Sequence, residues 1–338
     1  MASDYSVAVI GASGTTGNEI IRILKERAFP IRSLKPLESE ISIGRSVEYA
    51  NDDMPVQVLD KDSFKGIDIC FFAADSPTSS VYAPIAVEQG CVVIDSTPFY
   101  RMYKDVPLVV PEVNADKIKG HRGIIASPGS MAIQLVVPLY PIHRLFSLKR
   151  IVVSTYQAVS ETGPGAMDEL TDQIRALFCF NEPAVKVYPY QIAFNALPHT
   201  DTFLDNAYTA EEMSITDETK KILDDDSITI CATTVRIPVF YSHAESVNFE
   251  TDKKITPQDV REVLGNAPGV KIEDDPSKNI YPLPIYASGK DECFVGRIRQ
   301  DISSDNGIAM WIVADNIRKG AALNAVQIAE NLISISEK

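Results

Sequence analysis

The sequence predicts an α/β protein with a parallel sheet in its first domain and a mixed sheet in its second. Short apolar runs alternate with amphipathic runs up to about residue 110, a rhythm typical of a parallel sheet covered on both faces. After about Pro128 the pattern changes to longer β-branched runs, which favour a more antiparallel sheet. The length of 338 residues agrees with two domains, at roughly 100 to 200 residues each.

The elements of the first domain follow one another closely. An apolar strand is predicted at Ser6–Gly11 and an amphipathic helix at Asn18–Arg27. The same alternation continues through three further segments, Asp68–Asp75, Tyr82–Gly90 and Cys91–Asp95.

The second domain is predicted to begin with an apolar helix, Met131–Leu139, and a β-branched strand, Arg150–Thr155. A helix is expected at Gly163–Phe180, and the stretch Tyr188–Glu218 is interpreted as loop because it is rich in Pro, Asn, Asp and Thr. The remaining predicted elements are three strands and a final helix: Ile228–Val239, Ala244–Thr251, Met310–Asn316 and Lys319–Ser334.

Composition and charge exclude several classes of protein. The chain carries 32 basic and 46 acidic side chains, a net charge of -14, with no basic cluster of the kind that binds nucleic-acid phosphates. No apolar stretch approaches the roughly 20 residues of a membrane-spanning helix, and no signal segment opens the chain, so the cytoplasm is the expected location. The five cysteines lack C-x-x-C spacing and the four histidines lack H-E-x-x-H spacing, so neither a disulfide framework nor a metal site is predicted.

A glycine-rich loop directly follows the first strand. The segment reads Gly11-Ala-Ser13-Gly14-Thr15-Thr16-Gly17 and leads into the first helix. Glycines let the backbone approach a pyrophosphate, and the first-turn amides of the helix meet the anion. The position between strand and helix therefore favours a Rossmann-like dinucleotide-binding domain over a plain tight turn.

The end of the second strand is expected to set the preference between NAD and NADP. It reads Leu37-Glu38-Ser39-Glu40-Ile41-Ser42. A carboxylate there accepts a hydrogen bond from a ribose 2′-hydroxyl and repels a 2′-phosphate. Glu38, Glu40 and Ile41 thus favour NAD, or no cofactor at all, while a solvated acidic edge is the alternative interpretation.

Three features of the second domain suggest chemistry. Ser130 precedes the apolar helix, where the helix dipole favours anions, and the segment Ser154–Ser160 ends a predicted strand. Arg236 is suited to bind a carboxylate or phosphate, and His243 is suited to transfer a proton. Taken one at a time, each feature is better explained by a capping serine or a structural histidine. The residues alone therefore indicate a nucleotide-binding enzyme of undefined chemistry.

At these motifs the chain resembles the aspartate-β-semialdehyde dehydrogenase family, and the resemblance runs nearly end to end. It is carried by the glycine loop and by a series of longer segments: Arg101–Asn114, Ser154–Ser160, Ile192–Pro198, Tyr208–Met213, Glu218–Ile228, Arg236–Val239, His243–Ser246, Phe294–Arg299 and Lys319–Glu330.

The resemblance implies a dimeric or tetrameric oxidoreductase of amino-acid biosynthesis on the route to lysine, threonine and methionine. In such enzymes a cysteine attacks aspartyl phosphate, phosphate leaves, and NADPH reduces the thioester to the semialdehyde. The implied domains are a dinucleotide-binding domain at 1–129, completed by the C-terminal helix 318–338, and a catalytic and dimerisation domain at 130–317.

The resemblance also implies roles for individual residues. Arg101 would bind phosphate, Gln157 would orient the acyl intermediate, and His243 would be the acid and base. Glu211 and Arg236 would contact the substrate amino and carboxylate groups. Cofactor contacts would come from the glycine loop together with Ser39 and Asn324.

The chain departs from the family pattern in four places. Serine stands where the reactive cysteine belongs, because the family's Asn-Cys-Ser-Thr reads Gly129-Ser130-Met131-Ala132. The lysine expected three residues after Glu211 is Ser214, the arginine expected near the second strand is Ile41, and the asparagine expected after Asp95 is Ser96.

Three functional hypotheses follow. The chain is an enzyme of the aspartate-semialdehyde dehydrogenase type with weak or altered activity, or a catalytically silent paralogue similar to Usg-type proteins with a binding or regulatory role. The third is an enzyme resembling N-acetyl-glutamyl-phosphate reductase, which the matches at Tyr208–Met213 and Arg236–His243 disfavour.

Overall fold

The computed structural model describes residues 4–38, 44–50 and 52–336. The chain forms two compact units, one made of the described parts of Met1–Gly129 and Ala321–Lys338, the other of Ser130–Gly320. Among these residues, no helix combines the length and the apolar character needed to cross a bilayer.

The first unit contains a six-stranded sheet in which all strands are parallel. Its strands are β1 (Tyr5–Ile10), β2 (Ile31–Glu38), β3 (Ser46–Tyr49), β4 (Asp52–Pro55), β5 (Gln57–Val58), β6 (Ile69–Phe72), β7 (Val92–Asp95) and β8 (Ile124–Ala126), where β3 and β4 form a separate antiparallel pair. Its helices are α1 (Thr15–Glu26), α2 (Ser76–Glu88), α3 (Pro111–Asn114) and, from the far end of the chain, α9 (Leu323–Ser336).

The strand order β5-β2-β1-β6-β7-β8 reverses direction at β1. Ligands of open parallel sheets bind where the strand order reverses, beside the carboxyl ends of the two diverging strands. In this unit those ends are the loops after β1 and β6, so the topology directs a ligand to the glycine-rich loop.

Helix α9 belongs to the core of the first unit although the whole second unit separates it in sequence. Its buried side chains, among them Leu323, Val326 and Ile328, share one apolar cluster with α1 and β1. At the surface, the Arg27 guanidinium makes a two-point ion pair with Glu330. The apolar residues that recur at helical spacing in Lys319–Ser334 thus form the face that α9 buries.

The second unit contains a mixed six-stranded sheet, ordered β10-β9-β11-β14-β13-β12. Its strands are β9 (Leu148–Gln157), β10 (Thr229–Arg236), β11 (His243–Thr251), β12 (Val270–Ile272), β13 (Cys293–Gln300) and β14 (Gly307–Ala314). Its helices are α4 (Ser130–Phe146), α5 (Pro164–Phe178), α6 (Ala210–Leu223), α7 (Pro257–Leu264) and α8 (Pro284–Ala287). The α/β class and the two kinds of sheet predicted from the sequence are confirmed.

One expectation was wrong. The stretch Tyr188–Glu218, interpreted as loop, contains the first nine residues of α6. The helix begins at a capping box, in which the Thr209 hydroxyl accepts the Glu212 amide and the Glu212 carboxylate accepts the Thr209 amide. Such reciprocal bonds satisfy two amides that a helix otherwise leaves unpaired, and the preceding polar residues concealed this signal.

A buried carboxyl group marks the end of β7. Asp95 is fully buried and accepts hydrogen bonds from the Thr97 amide and hydroxyl, both at 3.0 Å. Burial raises its pKa from 3.8 to about 6, although the Thr97 bonds act in the opposite direction. The folded state therefore holds this proton more tightly than the unfolded chain does.

We expect the raised pKa of Asp95 to make the free energy of unfolding depend on pH. Because the folded-state pKa of Asp95 is raised, the contribution of this group to the free energy of unfolding falls as the pH rises from about 4 to about 6. Above about pH 6 the contribution no longer changes. At about 1.4 kcal/mol per pKa unit, Asp95→Asn should gain roughly 2–3 kcal/mol relative to the unaltered chain over that interval. Urea unfolding between pH 4 and 7.5 measures the difference. Exposed Asp116→Asn is the control, and identical pH dependence in all three proteins would contradict the assignment.

Candidate functional site

The glycine loop between β1 and α1 adopts a conformation that depends on two glycines. Gly11 has a φ of +80°, and a Cβ there would lie 2.2 Å from the Ala73 carbonyl oxygen. A Cβ on Gly17 would lie 2.1 Å from the Gly11 carbonyl oxygen. Gly14 is the N-cap of α1 and makes no side-chain hydrogen bond to the first-turn amides, and amides at a helix N-terminus are the groups that bind anions.

A cavity of about 610 Å³ opens beside this loop, where the strand order reverses. It is lined by residues of four segments: Ile10, Gly11, Gly14, Glu38, Leu59, Ala73, Ala74, Asp75, Thr78 and Tyr82. Of the predicted loop residues, Gly11 and Gly14 line this cavity. Ser13, Thr15, Thr16 and Gly17 belong to the same loop and to the first turn of α1 but are not part of the lining.

Glu38 is the carboxylate that the structure places at this cavity. Its Oε1 accepts the Ser13 amide at 3.0 Å and the Ser13 hydroxyl at 2.8 Å. The Arg45 guanidinium donates to the Ser13 hydroxyl at 3.4 Å. Ser39, Glu40 and Ile41, the other predicted determinants of cofactor preference, lie outside the described residues.

Asn324 lies near the start of α9 and is fully buried. Its amide group donates to the Val109 carbonyl at 3.0 Å and to the Ser127 hydroxyl at 2.9 Å. Its buried Oδ1 has no hydrogen-bond partner among the described residues. A buried acceptor without a donor is unfavourable, so this oxygen is available to a donor on a ligand.

Arg101 also belongs to the first unit. It is half-buried, and its guanidinium donates to the Ser96 carbonyl at 3.0 Å. The chain brings it next to the end of β7, where serine stands in place of the asparagine of the family pattern.

In the second unit, three predicted residues meet at one end of the mixed sheet. Gln157 and Arg236 are the last residues of the parallel strands β9 and β10 and are direct cross-strand neighbours. His243 is the first residue of β11, which pairs with β9 on its other side. All three side chains are buried. The Arg236 guanidinium donates to the Ala158 carbonyl at 2.7 Å, which fixes it against the turn after β9.

Ser130 joins this group as the first residue of α4, a helix of 17 residues. Its hydroxyl donates to the Glu161 carboxylate at 3.4 Å. The N-terminus of a helix carries a partial positive charge, which favours anions at this position.

Glu161 is a residue of this site that the sequence did not predict. It lies in a short 3₁₀ turn, Val159–Glu161, and its Oε2 atom accepts three hydrogen bonds. The donors are His243 Nε2 at 3.1 Å, Asn316 Nδ2 at 3.2 Å and the Ser130 hydroxyl at 3.4 Å. Its position four residues after Gln157 was the only signal in the sequence.

Asn316 was missed as well. It follows the end of β14 and is buried, and its Oδ1 accepts the Ser242 amide at 3.0 Å. Its amide group also donates to the Ser160 hydroxyl at 3.1 Å. Polar residues that directly follow a strand were the available signal.

The hydrogen bonds define the tautomer of His243. The Ala158 amide donates to Nδ1 at 3.0 Å, so the ring proton is on Nε2 and is donated to Glu161. Burial lowers the pKa of His243, while the Glu161 carboxylate opposes that shift. In neutral solution the ring is therefore uncharged, and neither nitrogen has a free lone pair in this arrangement.

Glu161 has the opposite electrostatic character. Burial alone would raise its pKa, but the hydrogen bond from His243, the charge that this ring gains when it is protonated in acid, the Arg236 guanidinium and the Asn316 amide outweigh burial and lower it to about 2. A carboxylate with such a pKa is ionised throughout the neutral range and is a weak base.

Glu211 lies in the first turn of α6, which packs against β10, and its side chain is half-buried. Its neighbour Glu212 is buried and accepts the Thr234 amide at 2.8 Å, which ties α6 to β10. Ser214, which stands where the family has a lysine, donates to Glu218 instead.

Comparison with known proteins decides the family. The dimerisation domain of semialdehyde dehydrogenases matches residues 139–319, and their NAD binding domain matches residues 6–121. An aspartate-semialdehyde dehydrogenase of Aquifex aeolicus is 50% identical, with 97% of this chain and 98% of that protein covered. This chain belongs to the aspartate-semialdehyde dehydrogenase family.

Other family members agree in sequence and in structure. An aspartate-semialdehyde dehydrogenase of Legionella pneumophila is 49% identical over 98% of this chain and 96% of its own length. The crystal structure of aspartate semialdehyde dehydrogenase II from Vibrio cholerae complexed with ASA has a TM-score of 0.94 at 42% identity, and the match covers 98% of this chain and 99% of that one.

Proposed function

We propose that this chain is an NAD(P)-dependent oxidoreductase that interconverts aspartate semialdehyde and aspartyl phosphate, and that its turnover is weak. The observation that carries the proposal is the arrangement of Gln157, Arg236 and His243 at one end of the mixed sheet, with Ser130 in the same unit at the start of α4. Family relatives are named for this activity, and one Vibrio cholerae relative was solved with ASA.

The side chains suit a small amino-acid substrate. Arg236 would bind its carboxylate, because a guanidinium pairs with a carboxylate through two parallel hydrogen bonds. Glu211 would bind its amino group and Gln157 would orient the acyl group, as the family resemblance implies. Arg101, in the first unit, would bind phosphate.

The serine limits the chemistry. A thiol with a pKa of about 8.5 is partly ionised in neutral solution, whereas an alcohol needs a strong general base. In this structure His243 already donates its ring proton to Glu161, and Glu161 is too weak a base because its pKa is about 2. An additional barrier of roughly 5 kcal/mol would slow the reaction by more than three orders of magnitude.

The first unit suits a dinucleotide. The glycine cradle, the first-turn amides of α1, the cavity at the strand reversal and the unpartnered Asn324 oxygen all fit one. Such a cofactor supplies hydride chemistry when bound. The Glu38 carboxylate at this cavity favours NAD over NADP, because it would repel a 2′-phosphate.

The proposed assembly is a homodimer, with a tetramer as the larger option. The dimerisation domain of the family matches most of the second unit. This unit exposes a group of large apolar side chains, of the kind that protein interfaces cover: Phe178, Phe180, Tyr190, Phe194 and Phe203.

A second candidate function is a catalytically silent dimeric paralogue with a binding or regulatory role. The contact of Glu161 with both Ser130 and His243 favours it, because this carboxylate engages the two groups that would have to exchange a proton.

Replacement of the serine by cysteine tests the proposed activity. We expect Ser130→Cys to raise phosphate-dependent oxidation of aspartate semialdehyde by at least about 100-fold, because a thiolate is available without a strong base. The assay follows NADH and NADPH formation with NAD and NADP. Ser154→Cys, on strand β9, is the matched control and should leave the rate unchanged.

Two outcomes would contradict the proposal. Turnover of the unaltered chain at the level of ordinary enzymes would show that the serine is no obstacle. Absence of turnover in both the unaltered chain and Ser130→Cys would favour the silent paralogue.

Cofactor preference is tested at Glu38. We expect Glu38→Gln to bind NADP about tenfold more tightly relative to NAD, because the charge that repels a 2′-phosphate is removed while the Ser13 amide keeps its acceptor. Calorimetric titration with both nucleotides gives the ratio, and exposed Glu88→Gln is the control. An unchanged ratio, or a preference of the unaltered chain for NADP, would refute this assignment.

A further inference from the structure

Three hydrogen-bond donors in the second unit converge on one carboxylate oxygen of Glu161. Ser130, His243 and Asn316 all point at Glu161 Oε2, within 3.1 to 3.4 Å. These three residues are buried, while the Glu161 side chain is 38% exposed. The carboxylate thus lies over a buried set of donors and faces outward itself.

We infer that Glu161 determines the charge of the ligand that this site accepts. Its carboxylate fills an oxyanion subsite, so that phosphate and acyl phosphates must compete with it and bind weakly, while a neutral carbonyl group or a cationic amino group is admitted. The inference concerns the site of the proposed function and rests on it for the identity of the substrate. The charge selection itself can be tested without turnover.

The donors form a subsite that exists independently of Glu161. Asn316 is held by the Ser242 amide and by Ser160. His243 is held by the Ala158 amide at Nδ1, so its Nε2 hydrogen points outward. Ser130 stands at the N-terminus of α4, where the helix dipole adds positive potential. Donors fixed in this way are preorganised for a negative oxygen.

A positive charge reinforces the subsite from one side. The Arg236 guanidinium is held by the Ala158 carbonyl, and its charge stabilises the ionised form of Glu161. If Glu161 were neutral or absent, the same field would act on an external oxyanion. The subsite would therefore bind an external oxyanion, but the Glu161 carboxylate already occupies it.

Glu161 weakens the binding of external anions by its charge as well as by its volume. Because it remains ionised down to about pH 2, this repulsion persists over the physiological range. Two unit charges of the same sign within about 4 Å repel each other where the effective dielectric constant is about 20. The affinity for a phosphate beside Glu161 would therefore be reduced by at least about tenfold.

The test measures binding of inorganic phosphate to the full chain at pH 7.5, without nucleotide or semialdehyde, by isothermal titration calorimetry. We expect Glu161→Gln to bind phosphate at least tenfold more tightly than the unaltered chain. Glu161→Asp retains the charge and should bind phosphate as weakly as the unaltered chain. Exposed Glu182→Gln is the matched control, and circular dichroism verifies that each variant is folded.

A second variant keeps the inference testable if the glutamine variant fails to fold. Glu161→Ala leaves room for a small external carboxylate, so formate should raise its melting temperature and leave that of the unaltered chain unchanged. Equal phosphate affinity in the unaltered chain, Glu161→Gln and Glu161→Asp would overturn the inference, as would the absence of any formate effect on Glu161→Ala. Neither result depends on whether the chain oxidises a semialdehyde.

Discussion

The hydrogen bond from His243 to Glu161 governs what the second unit can do. It fixes the ring proton on Nε2, keeps the carboxylate ionised and holds both side chains next to Ser130. An imidazole in this state is a proton donor, and the carboxylate it serves is too weak to activate an alcohol. The substitution of serine for cysteine and the presence of Glu161 therefore both disfavour nucleophilic attack by the side chain at position 130.

The two sheets place these groups by simple topology. Parallel strands β9 and β10 end together, and the antiparallel strand β11 begins beside them, so three functional side chains meet at one end of the sheet. In the first unit, the reversal of strand order at β1 places the glycine loop beside a cavity. Each unit thus presents its chemistry at the ends of strands, where loops can vary while the sheet remains constant.

Local patterns predicted much of the fold, because strand, helix and glycine-loop signals are short in sequence. The glycine loop was recognisable from its spacing: Gly17 is required by a close contact with Gly11, six residues before it, and Gly11 by a contact with Ala73, which follows the neighbouring strand β6. Helix α6 was missed at its start, where a Thr209–Glu212 capping box lies in a polar stretch. The contact of Glu161 with Asn316 joins residues 155 positions apart, and no local pattern encodes such a pair.

The most direct test of this account is nitrogen-15 NMR of the His243 ring. The chain has four histidines, and His243→Gln assigns the signal. The account predicts a neutral ring at pH 7 with the proton on Nε2 and an unprotonated Nδ1 that accepts the Ala158 amide. A proton on Nδ1 alone would contradict it, because Nε2 would then have a lone pair free to act on Ser130. A positively charged ring at pH 7 would also contradict it, because burial would then not keep His243 neutral.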